Sequence, residues 1–130
     1  MFKEFNYKVK VYYEDTDSGG VVYYANYLKF LERARSEAIY SVGLSNKNLL
    51  KDYKTQIIVK SCNIEYQKPA LLEDQLEIIS KVKSFTKVSF KMFQKIIRGM
   101  DEICYAELVM VTVNLNGKPV KIPEILKNSL

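Results

Sequence analysis

Near the start of the chain, Phe5, Tyr7, Val9, Val11 and Tyr13 alternate with Asn6, Lys8, Lys10 and Tyr12, the period of two expected of a strand that buries one face. A first strand over residues 5–13 is predicted. From residue 24 to 42 the period lengthens: Tyr27, Leu31, Ala34, Ala38 and Val42 recur along one side, while Lys29, Glu32, Arg33, Ser36 and Glu37 fall mostly elsewhere. That is an amphipathic helix, stopped by Gly43. Ser45 can cap a short helical turn through Leu50. Residues 55–66 are rich in Ile and Val alternating with polar side chains and end before Pro69, which reads as a second strand. Three more strands are expected over 75–85, 87–97 and 102–115, separated by a turn at 84–86 and by Arg98-Gly99-Met100-Asp101, and closed at Asn116-Gly117. Connections this short suit antiparallel hairpins. Residues 123–130 read as a short terminal helix.

In the last strand both alternating sets are largely apolar: Ile103, Tyr105, Val109, Val111 and Val113 on one side, Cys104, Ala106, Leu108 and Met110 on the other. A strand of that kind is covered on two faces and belongs at the centre of a sheet or at an interface. One long helix beside a meandering antiparallel sheet packs simply if the sheet curls around the helix's apolar side. The class is therefore α+β, in a single domain over 1–130.

The 130 residues suffice for one core and offer no interdomain linker. No apolar run approaches the roughly 20 residues of a membrane span, and the first residues lack the apolar stretch and cleavage site of a signal peptide, so a cytoplasmic location is expected. Histidine is absent, and Cys62 and Cys104 belong to no paired-cysteine motif, so no metal site is expected. The same absence excludes Ser-His-Asp and Cys-His mechanisms. Aspartate, glutamate, tyrosine, lysine and backbone dipoles remain as catalytic groups. The net charge of +5 and pI near 9.1 favour anionic ligands. The lysines are interspersed with apolar residues as on solvated strand faces, and no basic-aromatic motif points to nucleic acid.

The candidate chemistry lies between the first strand and the long helix, in Glu14-Asp15-Thr16-Asp17-Ser18-Gly19-Gly20-Val21-Val22-Tyr23-Tyr24. Two glycines let the chain turn sharply and let a ligand approach the backbone. The helix that follows presents unpaired N–H groups and the positive end of its dipole. Such donors stabilise the negative charge that grows on a carbonyl oxygen under attack more than they stabilise the substrate. Asp17 can either attack that carbonyl or activate a water as general base. Read without further context, the same residues are ordinary turn and capping material. A calcium loop is disfavoured, since the third ligand position is Gly19 and the closing position is Asn26.

The spacing Asp15-x-Asp17-x-x-Gly20-x-Val22, followed by the aromatic Tyr23-Tyr24-Ala25-Asn26-Tyr27 helix start, resembles the hot-dog-fold acyl-CoA thioesterases typified by 4-hydroxybenzoyl-CoA thioesterase. The short bacterial branch associated with the Tol-Pal cell-envelope system is especially similar, and the resemblance spans nearly the whole chain. It implies a hot-dog fold, a curved antiparallel sheet of about five strands wrapped around one long helix. It implies hydrolysis of acyl-CoA to a carboxylic acid and a thiol without metal or cofactor, with Asp17 as catalytic carboxylate and the Tyr24 backbone N–H as oxyanion donor. Asp15 then shapes the loop, Gly20, Val21 and Tyr23 contact substrate, and Lys87 meets coenzyme A phosphates. Glu32 is the rival carboxylate, because other hot-dog thioesterases use one on the helix. The Tol-Pal branch usually carries histidine where this chain has Tyr24. The resemblance also implies a homodimer or homotetramer joined sheet edge to sheet edge. A noncatalytic module that binds acyl thioesters or an acyl carrier protein is the alternative reading.

Overall fold

The computed structural model describes residues 2–130. Five strands, β1 (Glu4–Lys10), β2 (Gln56–Tyr66), β3 (Gln75–Phe85), β4 (Ser89–Arg98) and β5 (Asp101–Val113), form one antiparallel sheet in the order β1-β3-β4-β5-β2. The helices are α1 (Tyr24–Ser41), α2 (Asn46–Tyr53) and α3 (Glu124–Ser129). The α+β class expected from the pattern is the one observed.

The apolar stripe of α1 fixes its place. Tyr27, Phe30, Leu31, Ala34 and Ala38 are buried on the helix. They face the even-numbered residues of the inner strands: Leu76, Ile78 and Val82 of β3, Phe90, Met92 and Ile96 of β4, and Ala106, Leu108 and Met110 of β5. The helix ends as its sequence requires. Gly43 takes a φ of +83°, which lets its N–H donate to the Tyr40 carbonyl and the Leu44 N–H to that of Ile39, the double closure that glycine makes cheap after a last turn. Ser45 caps α2 by accepting from the Asn48 N–H at 2.9 Å.

Three strand boundaries differ from expectation by two residues or more, each because a side-chain oxygen competes with the strand ladder. β1 ends at Lys10 instead of continuing to residue 13, because Asp15 turns its carboxylate back onto the Tyr12 N–H at 2.9 Å and winds Tyr13–Asp15 into a helical turn. β4 begins two residues later than predicted, at Ser89, since the Thr86 hydroxyl accepts from the N–H groups of Val88 and Ser89. β5 stops at Val113, where the Asn114 side chain accepts from Asn116 and Lys118. The strand is internal, as its double apolar pattern implied, yet its outer face is only partly covered: Tyr105 and Val109 are half-buried and Glu107 is exposed.

One buried amide links the layers. Gln94 of β4 is fully buried, donates from Nε2 to the Leu31 carbonyl and to the Ser80 Oγ at 2.9 Å each, and accepts from Arg35 Nη1 at 3.0 Å. Gln94→Leu keeps the volume but leaves the Ser80 hydroxyl and the Arg35 guanidinium without this partner. A loss of about 3 kcal/mol is expected, read as a lower urea midpoint with an unchanged denaturant slope.

Candidate active site

The loop between β1 and α1 is a small closed hairpin. Thr16 bridges to Val22, the Asp17 N–H donates to the Val21 carbonyl at 2.9 Å, and the Gly20 N–H donates back to the Asp17 carbonyl at 3.1 Å. Gly20 sits at φ +79°, a conformation that any Cβ would strain. The Val22 N–H donates to the Ala70 carbonyl at 2.9 Å and Val21 bridges to Leu71, which moors the loop to the chain entering β3. Asp15 is buried, and its carbonyl accepts from the Tyr23 N–H at 3.1 Å and from Asn26 Nδ2 at 2.8 Å. Asp15 therefore joins the loop to the first turn of α1.

These constraints set the tip. Asp17 is exposed, and its Oδ1 accepts from the Gly19 N–H at 2.8 Å. The second oxygen has no partner among the described residues. Tyr24 is the first residue of α1; no side chain caps this end and no acidic residue occupies its first turn. The Tyr23 and Asn26 N–H groups are taken by Asp15 and Tyr23, whereas nothing among the described residues accepts from the Tyr24 N–H. An uncapped N-terminus with a free donor and no carboxylate within its own first turn can stabilise negative charge.

The helix start opens onto a cleft of about 540 Å³ lined by Val22, Tyr24, Tyr27, Tyr66, Lys68 and Pro69, among others. The Tyr24 ring lies 4.8 Å from that of Tyr23 and 6.1 Å from that of Tyr66. Tyr66 also donates its hydroxyl to the Tyr24 carbonyl at 3.1 Å. Burial raises the phenols of Tyr66 and Tyr27, so both keep their protons at neutral pH. Tyr27 is a core residue whose hydroxyl oxygen accepts from the buried Ala70 N–H at 3.0 Å. Tyr27→Phe orphans that N–H and is expected to lower stability by about 2 kcal/mol, measured by chemical denaturation.

Tyr66 and Lys68 escaped the sequence reading. Their one signal is an aromatic and a cation just before Pro69, where a strand must end. Asp17, Gly20, Val21, Tyr23 and Tyr24 fall together in the loop and first turn. Lys87 does not join them within one chain. It is exposed in the turn between β3 and β4, at the far end of the eleven residues of β3, roughly 35 Å of strand away. Glu32 is also elsewhere, exposed midway along α1.

Neither cysteine competes as a nucleophile. Burial pushes the Cys104 thiol up to about 12 and raises that of Cys62, so neither is a thiolate at neutral pH. Among the described residues no three His, Cys, Asp or Glu side chains converge to hold a metal ion, and no helix is long and apolar enough to cross a membrane.

The loop thus carries an exposed carboxylate at its tip and runs directly into an uncapped helix N-terminus. Residues 11–130 match the family model of the Thioesterase-like superfamily. The chain belongs to that family, and its enzyme class is thioester hydrolase. Over 122 residues it is 38% identical to the acyl-CoA thioester hydrolase YbgC of Escherichia coli O6:H1, covering 92% of this chain and 90% of the relative. Over 124 residues it is 36% identical to the acyl-CoA thioesterase YbgC of Haemophilus influenzae, covering 95% and 91%. A crystal structure described as a probable thioesterase from Bartonella henselae superposes with a TM-score of 0.90 at 31% identity, over 93% of this chain and 100% of that one. The hot-dog fold implied by the loop and helix motif is the fold of this chain.

Proposed function

We propose that the protein hydrolyses acyl-CoA thioesters, with Asp17 as nucleophile or general base and the Tyr24 N–H as oxyanion donor. The observation that carries this reading is the pairing of an oriented, half-free carboxylate with a free N–H at an uncapped helix start. The names of the similar YbgC proteins agree with the substrate class. Attack on the thioester carbonyl gives a tetrahedral oxyanion held by the Tyr24 N–H and the helix dipole. Its collapse breaks the C–S bond and expels the thiolate, which takes up a proton. If Asp17 attacks, the product is a mixed anhydride that water then opens; if Asp17 takes a proton from water, the acid forms directly. The test is thiol release from short-chain, long-chain and aromatic acyl-CoAs. Turnover supports the reading, and tight binding of thioesters that stay intact overturns it.

The reading includes a second copy of the chain. β2 is an edge strand of eleven residues with Ile58 and Val59 each more than two-fifths exposed, an unpaired edge with an exposed apolar stretch, open to pairing. Antiparallel pairing of two such edges about a two-fold axis reverses the ends of the sheet. One copy's Lys87 turn then lies at the same end as the other copy's Asp17 loop, where it can meet coenzyme A phosphates. Ile58→Lys is expected to shift the sedimenting species from a multiple of 15.1 kDa toward the single chain. A wild-type protein that sediments as the single chain at micromolar concentration removes the second copy from the proposal.

A further inference from the structure

The chain that runs from β2 to β3, residues 67–74, meets the candidate site at several points. Gln67, Lys68 and Pro69 line the cleft beside Tyr24 and Tyr66. Ala70 takes the Val22 N–H on its carbonyl and gives its own N–H to the Tyr27 hydroxyl, while Leu71 bridges to Val21. Val21 in turn accepts from the Asp17 N–H. One short stretch is therefore both a wall of the cleft and the mooring of the Asp17 loop.

Backbone bonds secure this stretch only at its ends: Gln67 and Lys68 donate to the Ile103 carbonyl, and Glu73 and Asp74 pair with Val11. Between those anchors Pro69 to Leu71 make no backbone bond to the sheet among the described residues. Glu73 also sits at φ +67°, a conformation that a residue with a Cβ keeps only where its surroundings enforce it. Arg98, the last residue of β4, supplies the missing tie. Its Nη1 donates to Asp74 Oδ2 at 2.7 Å and to the Pro69 carbonyl at 3.1 Å, so one nitrogen spans the turn. The Pro69 carbonyl has no other donor among the described residues. Asp74 Oδ2 also accepts from the Leu71 N–H at 2.8 Å, beside the bridge to Val21. The Arg98 and Asp74 side chains are only 29% and 21% exposed, a setting in which a charge-assisted contact is strong; the Lys68–Asp101 pair is half exposed and contributes little. β4 lies two strands in from the β2 edge, clear of the edge at which the second copy is proposed to pair.

We propose that Arg98 is a positioning residue for the reaction at the Asp17 loop: by gripping Pro69 and Asp74 it fixes the stretch on which the loop and the start of α1 rest. The inference rests on the proposed hydrolysis for the reaction that is served. Arg98 is not on the cleft lining, so it acts through Pro69–Leu71 and not on substrate. Misplacement of reacting groups by about 1 Å costs on the order of a hundredfold in rate, and the effect falls on turnover more than on binding.

The experiment compares wild type, Arg98→Met and Asp74→Asn by acyl-CoA turnover and by hydrogen exchange of backbone amides, at a temperature where denaturant titration finds each variant fully folded. Arg98→Met keeps an apolar stem and removes the guanidinium. It should lose about tenfold or more in kcat, with KM changed by less than about threefold. The Val22 amide, which donates to Ala70, should exchange about tenfold faster or more, while the Leu108 amide in β5 keeps its protection. Asp74→Asn keeps an oxygen for the Leu71 N–H and removes the charge that Arg98 grips. It should lose about threefold or more in kcat, and it decides the matter if Arg98→Met does not fold. Wild-type kcat in a folded Arg98→Met, a loss confined to KM, or unchanged Val22 exchange overturns the proposal and leaves the proposed hydrolysis standing. If the wild type hydrolyses no thioester, the proposed function fails and exchange alone decides: a faster Val22 amide in Arg98→Met supports the clamp, and an unchanged one overturns it.

Discussion

Asp17→Asn is expected to fold and melt as wild type does and to lose at least a hundredfold in turnover of acyl-CoA. The amide has the same shape and still offers an oxygen to the Gly19 N–H, the one hydrogen bond the carboxylate makes among the described residues. The side chain is exposed, so little stability is at stake. What disappears is the charge: an amide is neither a base for water nor a nucleophile toward a thioester. The loss should fall on kcat, with KM changed little, because the substrate keeps its contacts with the cleft. A folded Asp17→Asn protein with full turnover would move the chemistry to another carboxylate, with Glu32 the first to test.

The second large effect is expected from Tyr24→Pro. A backbone N–H cannot be deleted by ordinary side-chain replacement, but proline removes it, and the first position of a helix is where proline fits best. Tyr23 already has φ −61° and ψ 129°, the extended conformation that a residue before proline adopts. No hydrogen bond of the fold is lost, since the Tyr24 N–H has no acceptor among the described residues. Turnover should fall by about a hundred- to a thousandfold, the range for removal of one oxyanion donor. Tyr24→Ala separates the ring from the N–H: it removes the contacts with Tyr23 and Tyr66 and should cost less than tenfold. Equal losses in the two variants would assign the role to the ring.

Much of this was legible in the chain because local rules and tertiary structure agree. The alternation in β3 placed that strand at its observed limits, and the stripe from Tyr27 to Ala38 identified the buried side of α1. The ends of β1 and β5 were misread because both continue apolar after pairing stops. There the decision belongs to Asp15 and Asn114, whose side chains bind the backbone. The loop residues of the candidate site could be read together because they are contiguous. Tyr66 and Lys68 could not, for they reach the cleft only when β2 pairs with β5 and delivers its end to the start of α1. Arg35 also stayed hidden: it sits in a mixed charged run, and nothing in that run distinguishes the one arginine that turns inward.

Gln94 has a consequence for catalysis although it lies seven helical residues from the site on its Leu31 side. Apolar contact alone holds a helix on a sheet loosely in one respect, since a stripe of similar side chains tolerates sliding or rotation with little change in buried area. An amide that gives to one particular carbonyl and takes from one particular guanidinium admits a single alignment. That alignment determines where the first turn of α1 emerges beside the Asp17 loop. In the proposed hydrolysis, accuracy at the reacting carbonyl is then set partly by a registration mark in the interior, away from the cleft.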